Sequence, residues 1–306
     1  MSLRLVPPLC PPLCPPLAAG TPGDPGLTGP DSVTWRVCRE RVVPLGGLSA
    51  LLLQLAHPLV AAGVAEHSSF HDDPTKRLML TLEMLLVTTF GDIRQVGEMT
   101  GRIANIHRVV SGSLPQDAGE WRRGTHYSAT SPELCLWVYA TIIETTLNSY
   151  SAFVRPLDMN ERAELYRESE RFGQLYGVGK DIRPVSYQDF RDYYATTLSR
   201  LMPSAQARSM ARLILRARLR GIPIPPWGYL LAAGLLPAPL RAQYGLRWSA
   251  AQRGLWWLFT HAVHLVMGRL APPRLRFWDH YHVAVVRCRP AADPSAALVS
   301  RDDLAR

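Results

Sequence analysis

Nine histidines punctuate this chain of 306 residues, and four of them, His57, His67, His71 and His107, fall before residue 110. His107 lies in Met99-Thr-Gly-Arg-Ile-Ala-Asn-Ile-His-Arg-Val-Val-Ser-Gly112. At helical spacing Met99, Ile103, His107 and Val110 share one apolar face, which turns the imidazole toward the interior. An inward imidazole needs a partner: a hydrogen-bonding group, or a metal, for which neutral imidazole is the commonest protein ligand. The spacing leaves both open. His261 and His264 stand three apart on another predicted helix and could present two nitrogens on one face, but the Glu of a His-Glu-x-x-His hydrolase is missing. His126 falls in a predicted loop, and His280 and His282 lie near the C-terminus.

Other chemistries lack their residues. There is no Gly-x-Ser-x-Gly elbow, no Gly-x-x-x-x-Gly-Lys-Ser/Thr phosphate loop and no Gly-x-Gly-x-x-Gly after a strand, which removes hydrolase and nucleotide chemistry of those types. Cys10, Cys14, Cys38, Cys135 and Cys288 are odd in number and scattered, so the chain reads as the product of a reducing compartment and not as a disulfide scaffold. No Cys-x-x-Cys-His occurs, which excludes thioether-linked haem of that signature. Inward histidines on apolar helices are, however, the parts of a pocket for non-covalent haem, with an axial imidazole, an apolar cavity and cations for the propionates. On the preceding predicted helix Arg77 and Thr81 are four apart and share a face with Met84 and Thr88. They could set a cation and hydroxyls against a cofactor. Equally, Arg77 could pair with Asp72 or Asp73 while Thr81 bonds back to its own turn.

The elements that must carry these residues are helices. Asp73-Pro74 caps a predicted helix running to Gly91, and the next ends near Gly112. Ser131-Pro132-Glu133 starts a long apolar helix that belongs at the centre of the fold. A charged outer helix runs from Asn160 to about Tyr176, and Ser186-Tyr-Gln-Asp189 and Ser249-Ala-Ala-Gln252 read as capping boxes. Tyr281-His-Val-Ala-Val-Val-Arg is a strand or the last helix. Residues 221–239, rich in Gly and Pro, are expected to form a large loop with a short helix. The fold class is therefore all-α, a single helical domain over 31–290. Residues 1–30, with the near repeat Pro-Pro-Leu-Cys, form an expected disordered or polyproline-II leader, and 291–306 a polar tail. The leader lacks the continuous apolar helix of a signal peptide. The apolar runs Leu48–Ala65 and Trp227–Leu240 are broken by polar residues and prolines and read as core or surface-seeking segments in preference to membrane spans.

Lys and Arg outnumber Asp and Glu by 34 to 25, with the excess in the second half. Between Arg200 and Arg220 an arginine-studded amphipathic helix is either a solvated outer face or a surface for an anionic membrane. No zinc-finger spacing or RNA-binding aromatic motif accompanies the arginines, so nucleic acid is not expected as a partner.

Ordered motifs add a resemblance. Leu51-Leu-Leu-Gln-Leu-Ala-His-Pro-Leu-Val-Ala-Ala-Gly-Val-Ala-Glu-His-Ser-Ser-Phe70 is followed by Asp-Pro-x-x-Arg-Leu-x-x-Thr, Phe90-Gly-Asp, Ile106-His-x-x-Val, Tyr127-Ser-Ala and Pro132-Glu-Leu-x-x-Trp-Val-x-Ala-Thr. Over roughly 31–290 this is similar to the DUF2236 family, which includes rubber oxygenases and the fungal oxygenase of mycophenolic acid synthesis. The resemblance implies a globin-like helical core, a non-covalent b-type haem and oxidative cleavage of an isoprenoid double bond by dioxygen. On it, His107 matches the proximal haem ligand, and Arg77 and Thr81 match an Arg and a Thr of the haem pocket. Leu80 departs from a Lys found before that Thr in the rubber enzyme. Ala104 and Ser111 depart from two arginines flanking its proximal His, and Arg102 and Arg108 are the candidates to compensate.

Within that expectation His107 binds iron, dioxygen takes the opposite face, and a carboxylate removes an allylic proton. Glu66 is the candidate base, because burial among apolar neighbours would raise its pKa into a useful range. A salt bridge to Arg77 or a cap is the competing role. His67 is the candidate distal group, with His57 as the alternative. The expected partners are an apolar small molecule, dioxygen and, where the reaction needs one, an electron donor. The expected location is cytoplasmic, with peripheral membrane contact through residues 200–240 as the open variant. A haem sensor or carrier, and a haem-free helical protein at a membrane surface, remain the alternatives to an oxygenase.

Overall fold

The computed structural model of the chain describes residues 17–67, 74–216, 218, 219, 222, 223 and 226–289; at 74–78 and at the described positions in 216–227 only the backbone is described. Its centre is built by three apolar helices: α2 (Gly47–Ala56), α3 (Pro58–His67) and α6 (Pro132–Phe153). Proline lacks an N–H and forces the residue before it out of the α region. His57 accordingly takes φ −79°, ψ 118°, and the chain turns by 106° between α2 and α3. This bent pair is apolar because it is core: every residue from Leu51 to Leu59 is buried. No single helix among the described residues is long and apolar enough to cross a membrane.

Helix α6 starts at Pro132, where a missing N–H costs nothing, and buries Trp137, Leu147 and Phe153 completely. The Trp137 indole donates to the Leu53 carbonyl at 3.2 Å, which fixes α6 against α2. Helices α4 (Pro74–Phe90) and α5 (Ile93–Arg108) form a hairpin beside this core. Asp92 and Gln95 make a capping box at the start of α5, which satisfies two N–H groups that a helix start leaves open. Around these lie α1 (Val33–Cys38), α7 (Met159–Glu168), α8 (Glu170–Leu175), α9 (Tyr187–Arg200), α10 (Ala205–Arg216), α11 (Pro226–Leu235), α12 (Ala238–Gln243), α13 (Ala250–Leu265), α14 (Pro273–Arg276) and α15 (Asp279–Arg287). Two short antiparallel hairpins interrupt the helices. β1 (Ser111–Ser113) pairs with β2 (His126–Ser128) in the register Ser111 to Ser128, Gly112 to Tyr127 and Ser113 to His126, and β3 (Arg218–Leu219) pairs with β4 (Ile222–Pro223).

The chain is all-α as its sequence predicts, with differences at element ends. The capping boxes at Ser186 and Ser249 are present, and Tyr281–Arg287 is the last helix. The helix expected to reach Gly112 stops at Arg108, because Ser111–Ser113 are held as a strand by 126–128. The helix expected over 160–176 breaks at Ser169, whose hydroxyl bonds back to the Tyr166 carbonyl at 2.6 Å and so competes with the helical pattern. The leader expected to be disordered up to residue 30 is ordered irregular chain from Leu17. There the Thr21 amide donates to Asp92 at 2.7 Å, and Arg287 donates to the Asp24 carbonyl at 2.7 Å. Residues 1–16 and 290–306 lie outside the described residues. Cys38, Cys135 and Cys288 are free thiols.

Candidate functional site

Between α3, α4, α5 and α6 lies a cavity of about 330 Å³, at the lower end of the usual range for small-molecule sites. Its wall is mostly apolar, with Leu59, Val64, Leu80, Met84, Ile103 and Ile142 among its residues. The inward stripe of α5 reaches it as its periodicity predicts. Met99 and Ile103 are buried, and His107, in the last turn, is half-buried on the cavity wall. Thr81 of α4 lines the same cavity, and so does His67 at the end of α3. The Arg77 side chain lies outside the described residues.

The polar groups of the wall are mostly bonded behind it. The Tyr176 hydroxyl pairs with Thr88 at 2.8 Å, and the Tyr139 hydroxyl pairs with Ser169 at 2.6 Å and accepts from Arg183 at 3.2 Å. Burial raises both phenols above their ordinary range, so they stay neutral. The Cys135 thiol donates to the Ala129 carbonyl at 3.3 Å, and burial, with Glu133 adding to it, pushes its pKa up as well. A protonated thiol is a poor metal ligand. The nitrogen donors at this cavity are therefore the two imidazoles. His67 Nε2 sits 2.9 Å from the Ser111 carbonyl; a carbonyl only accepts, so Nε2 carries a hydrogen and donates it there. Among the described residues no group of three or more His, Cys, Asp or Glu could hold a metal ion.

Two sequence expectations are corrected. Glu66 is exposed at the end of α3 and is not enclosed among apolar residues. Its Oε2 accepts a short hydrogen bond from the hydroxyl of Tyr127, which is itself buried on the cavity wall. Burial, strengthened by the neighbouring carboxylate, raises the Tyr127 pKa. His57 does not line the cavity. It packs against Trp121 with ring centroids 4.8 Å apart, and burial lowers its pKa to about 4. The arginines considered as compensation are engaged elsewhere: Arg102 pairs with Glu83 at 3.3 Å and Arg108 bonds Asn105 at 2.7 Å. Leu80 contributes an apolar surface to the wall.

Tyr127 is the participant that sequence reasoning missed, although Tyr127-Ser-Ala stands among the motifs quoted above. What reveals it is strand pairing. Gly112 faces Tyr127 across the hairpin, and a Cβ there would come within 2.5 Å of the Tyr127 hydroxyl and 2.9 Å of Glu66 Oε2. The glycine leaves the space in which the two oxygens meet.

A helical fold around one apolar cavity with imidazoles on its wall fits many proteins, and comparison with known sequences narrows the choice. The family described as "ER-bound oxygenase mpaB/B'/Rubber oxygenase, catalytic domain" matches residues 35–265. The chain belongs to this oxygenase family. The match runs from within α1 to the end of α13 and so spans the whole cavity wall, which makes the cavity part of an oxygenase catalytic domain and the protein an enzyme of the oxidoreductase class. Two relatives are the uncharacterized protein Rv2237 of Mycobacterium tuberculosis and the uncharacterized protein Mb2261 of Mycobacterium bovis. Each is 27% identical over 247 residues, covering 75% of this chain and 92% of the relative. No solved structure matches the chain, and the globin-like arrangement of the core stays an implication of the resemblance.

Proposed function

We propose that the cavity binds a b-type haem whose iron His107 would hold, and that the enzyme oxidises an apolar, isoprenoid-like substrate with dioxygen. The observation that carries this reading is the donor set. Two imidazoles on an apolar wall are too few to hold a bare ion, whereas one of them, His107, would complete the coordination of an iron that arrives already held by a macrocycle. Bound there, haem supplies the site for dioxygen binding and activation.

The chain's own residues supply the rest. His107 fixes the group from the end of α5. The apolar wall excludes water and accepts a hydrocarbon by shape. Thr81 and His67 are the polar groups that orient what enters. Glu66 and Tyr127 hold one proton between Glu66 Oε2 and the Tyr127 hydroxyl, and in this reading Glu66 receives the substrate proton through Tyr127, which reaches the cavity where Glu66 does not. Arg77 is assigned to a haem propionate on the family resemblance.

The test is an absorption spectrum of protein expressed with haem precursor, then reduced and exposed to carbon monoxide. A Soret band that shifts with carbon monoxide and is lost in His107→Ala is expected. A band that survives unshifted in that variant removes His107 from the ligand role, and a colourless wild-type protein removes haem. Incubation with isoprenoid alkenes under air then separates an oxygenase, which yields aldehyde or ketone fragments, from a haem carrier, which yields none.

A further inference from the structure

Helix α13 has no buried residue along its sixteen positions. One face rests on the protein through Trp256 and Phe259, which pack on Phe153 with centroids 5.7 and 6.1 Å apart. Gly234 of α11 makes this seat possible, since a Cβ there would lie 2.5 Å from the Trp256 ring. The opposite face is apolar too. Leu255, Trp257 (60% exposed), Leu258 (58%) and Leu265 point to solvent, and Val266, Leu270 (68%) and Leu275 carry the patch past the helix end. A helix with large apolar side chains on opposite faces, here interrupted by Arg253, His261 and His264, is normally enclosed by protein or lipid. A patch of this kind marks a docking surface.

Charge identifies the occupant. From Tyr193 to Trp278 the sequence contains no Asp or Glu and twelve Arg. Arg247, Arg253, Arg269 and Arg274 flank the patch and form no ion pair among the described residues. A second copy docked by the same face would bring like-charged arginines together with no local carboxylate to meet them, which is costly. An anionic surface meets both halves of the pattern, with Trp at the headgroup level and arginines on the phosphates. We propose that the outward face of α13, continued through Leu270 and Leu275, seats this enzyme on an anionic lipid bilayer. The surface lies outside the span 200–240 that the sequence suggested, and none of its residues lines the cavity, so it stands or falls independently of the cofactor.

The experiment is flotation of the full chain with vesicles of phosphatidylcholine alone and of phosphatidylcholine with one third phosphatidylglycerol. Binding to the anionic vesicles is expected to exceed binding to the neutral ones by about tenfold or more and to weaken as salt is added. Trp257→Ser/Leu258→Ser, two exposed positions whose change leaves the packed face intact, is expected to lower binding by about tenfold to a hundredfold. Arg269→Gln/Arg274→Gln is expected to lower it about fivefold per charge. Val185→Ser, which removes another exposed apolar side chain away from α13, leaves it unchanged. Wild-type protein that ignores anionic vesicles, a Trp257→Ser/Leu258→Ser variant that binds as well as wild type, or a wild-type dimer that this variant converts to monomer would each overturn the proposal.

Discussion

Acidification measures what burial does to His57. The ring is buried against Trp121, its Nδ1 has no hydrogen-bond partner among the described residues, and desolvation lowers its pKa from 6.5 to about 4. In the unfolded chain the imidazole takes up a proton as the pH falls through 6.5, while in the fold it stays neutral until about pH 4. The unfolded state therefore binds more protons in that window, and stability that is complete above 6.5 is lost as the pH falls toward the folded value. A difference of about 2.5 pK units corresponds to about 3 kcal/mol, a large share of the stability of an ordinary domain. The assay is urea unfolding of wild type and His57→Leu across this range. The variant carries a constant offset from its altered packing, so the quantity read is the change in the difference: wild type should lose about 3 kcal/mol more than the variant between neutrality and about pH 4. Curves that stay parallel would show that His57 is hydrated or paired in the fold, and the desolvation argument would fail. His57→Leu should also keep any Soret band, since the ring lies off the cavity wall.

Arg276 grips Glu40, only 1% exposed, through two hydrogen bonds of 2.8 and 2.7 Å. Arg276→Ala leaves that carboxylate with only Arg39, 4.0 Å away and not hydrogen-bonded to it, and should cost about 3 kcal/mol in denaturant unfolding, whereas Glu40→Leu/Arg276→Met should recover most of the loss; equal losses in the two proteins would show that packing, not the under-compensated charge, is responsible. Gly112→Ala forces the Tyr127 and Glu66 oxygens apart and should cost about 1–3 kcal/mol by overpacking. It should slow oxidation while leaving the His107-dependent absorbance in place, and loss of that absorbance would show that the hairpin and the ligand are not separable.

Most helices were legible because their signals are local. Pro132 after Ser131, and the boxes at Ser186 and Ser249, act within one turn and need no tertiary partner. The hairpin of 111–113 with 126–128 was not legible, since no tight turn links its strands and its pairing depends on a loop of twelve residues. Glu66 was misjudged for the same reason. Apolar neighbours in sequence imply burial only when the helix continues inward, and Glu66 lies at the outer end of α3. His107 was read correctly as inward because α5 repeats the stripe Met99, Ile103, His107 over two turns. Its half-burial records a cavity where a sequence pattern can show only a core face.

Burial and chemical availability run in opposite directions among these histidines. His57 is the most deeply enclosed of the three that were considered for the site, and that enclosure keeps it neutral, packed on Trp121 and away from any ligand. His107 and His67 are less buried and line the cavity, so each ring borders volume that protein does not fill. The same logic governs two of the tyrosines: Tyr139 and Tyr176 bond Ser169 and Thr88 behind the wall, so their hydroxyls add no charge to a mostly apolar lining. Under the proposed function, selection among apolar substrates would rest on shape, and Leu80, an apolar part of the wall where the resemblance to rubber oxygenases would place a Lys, would be one surface on which it acts.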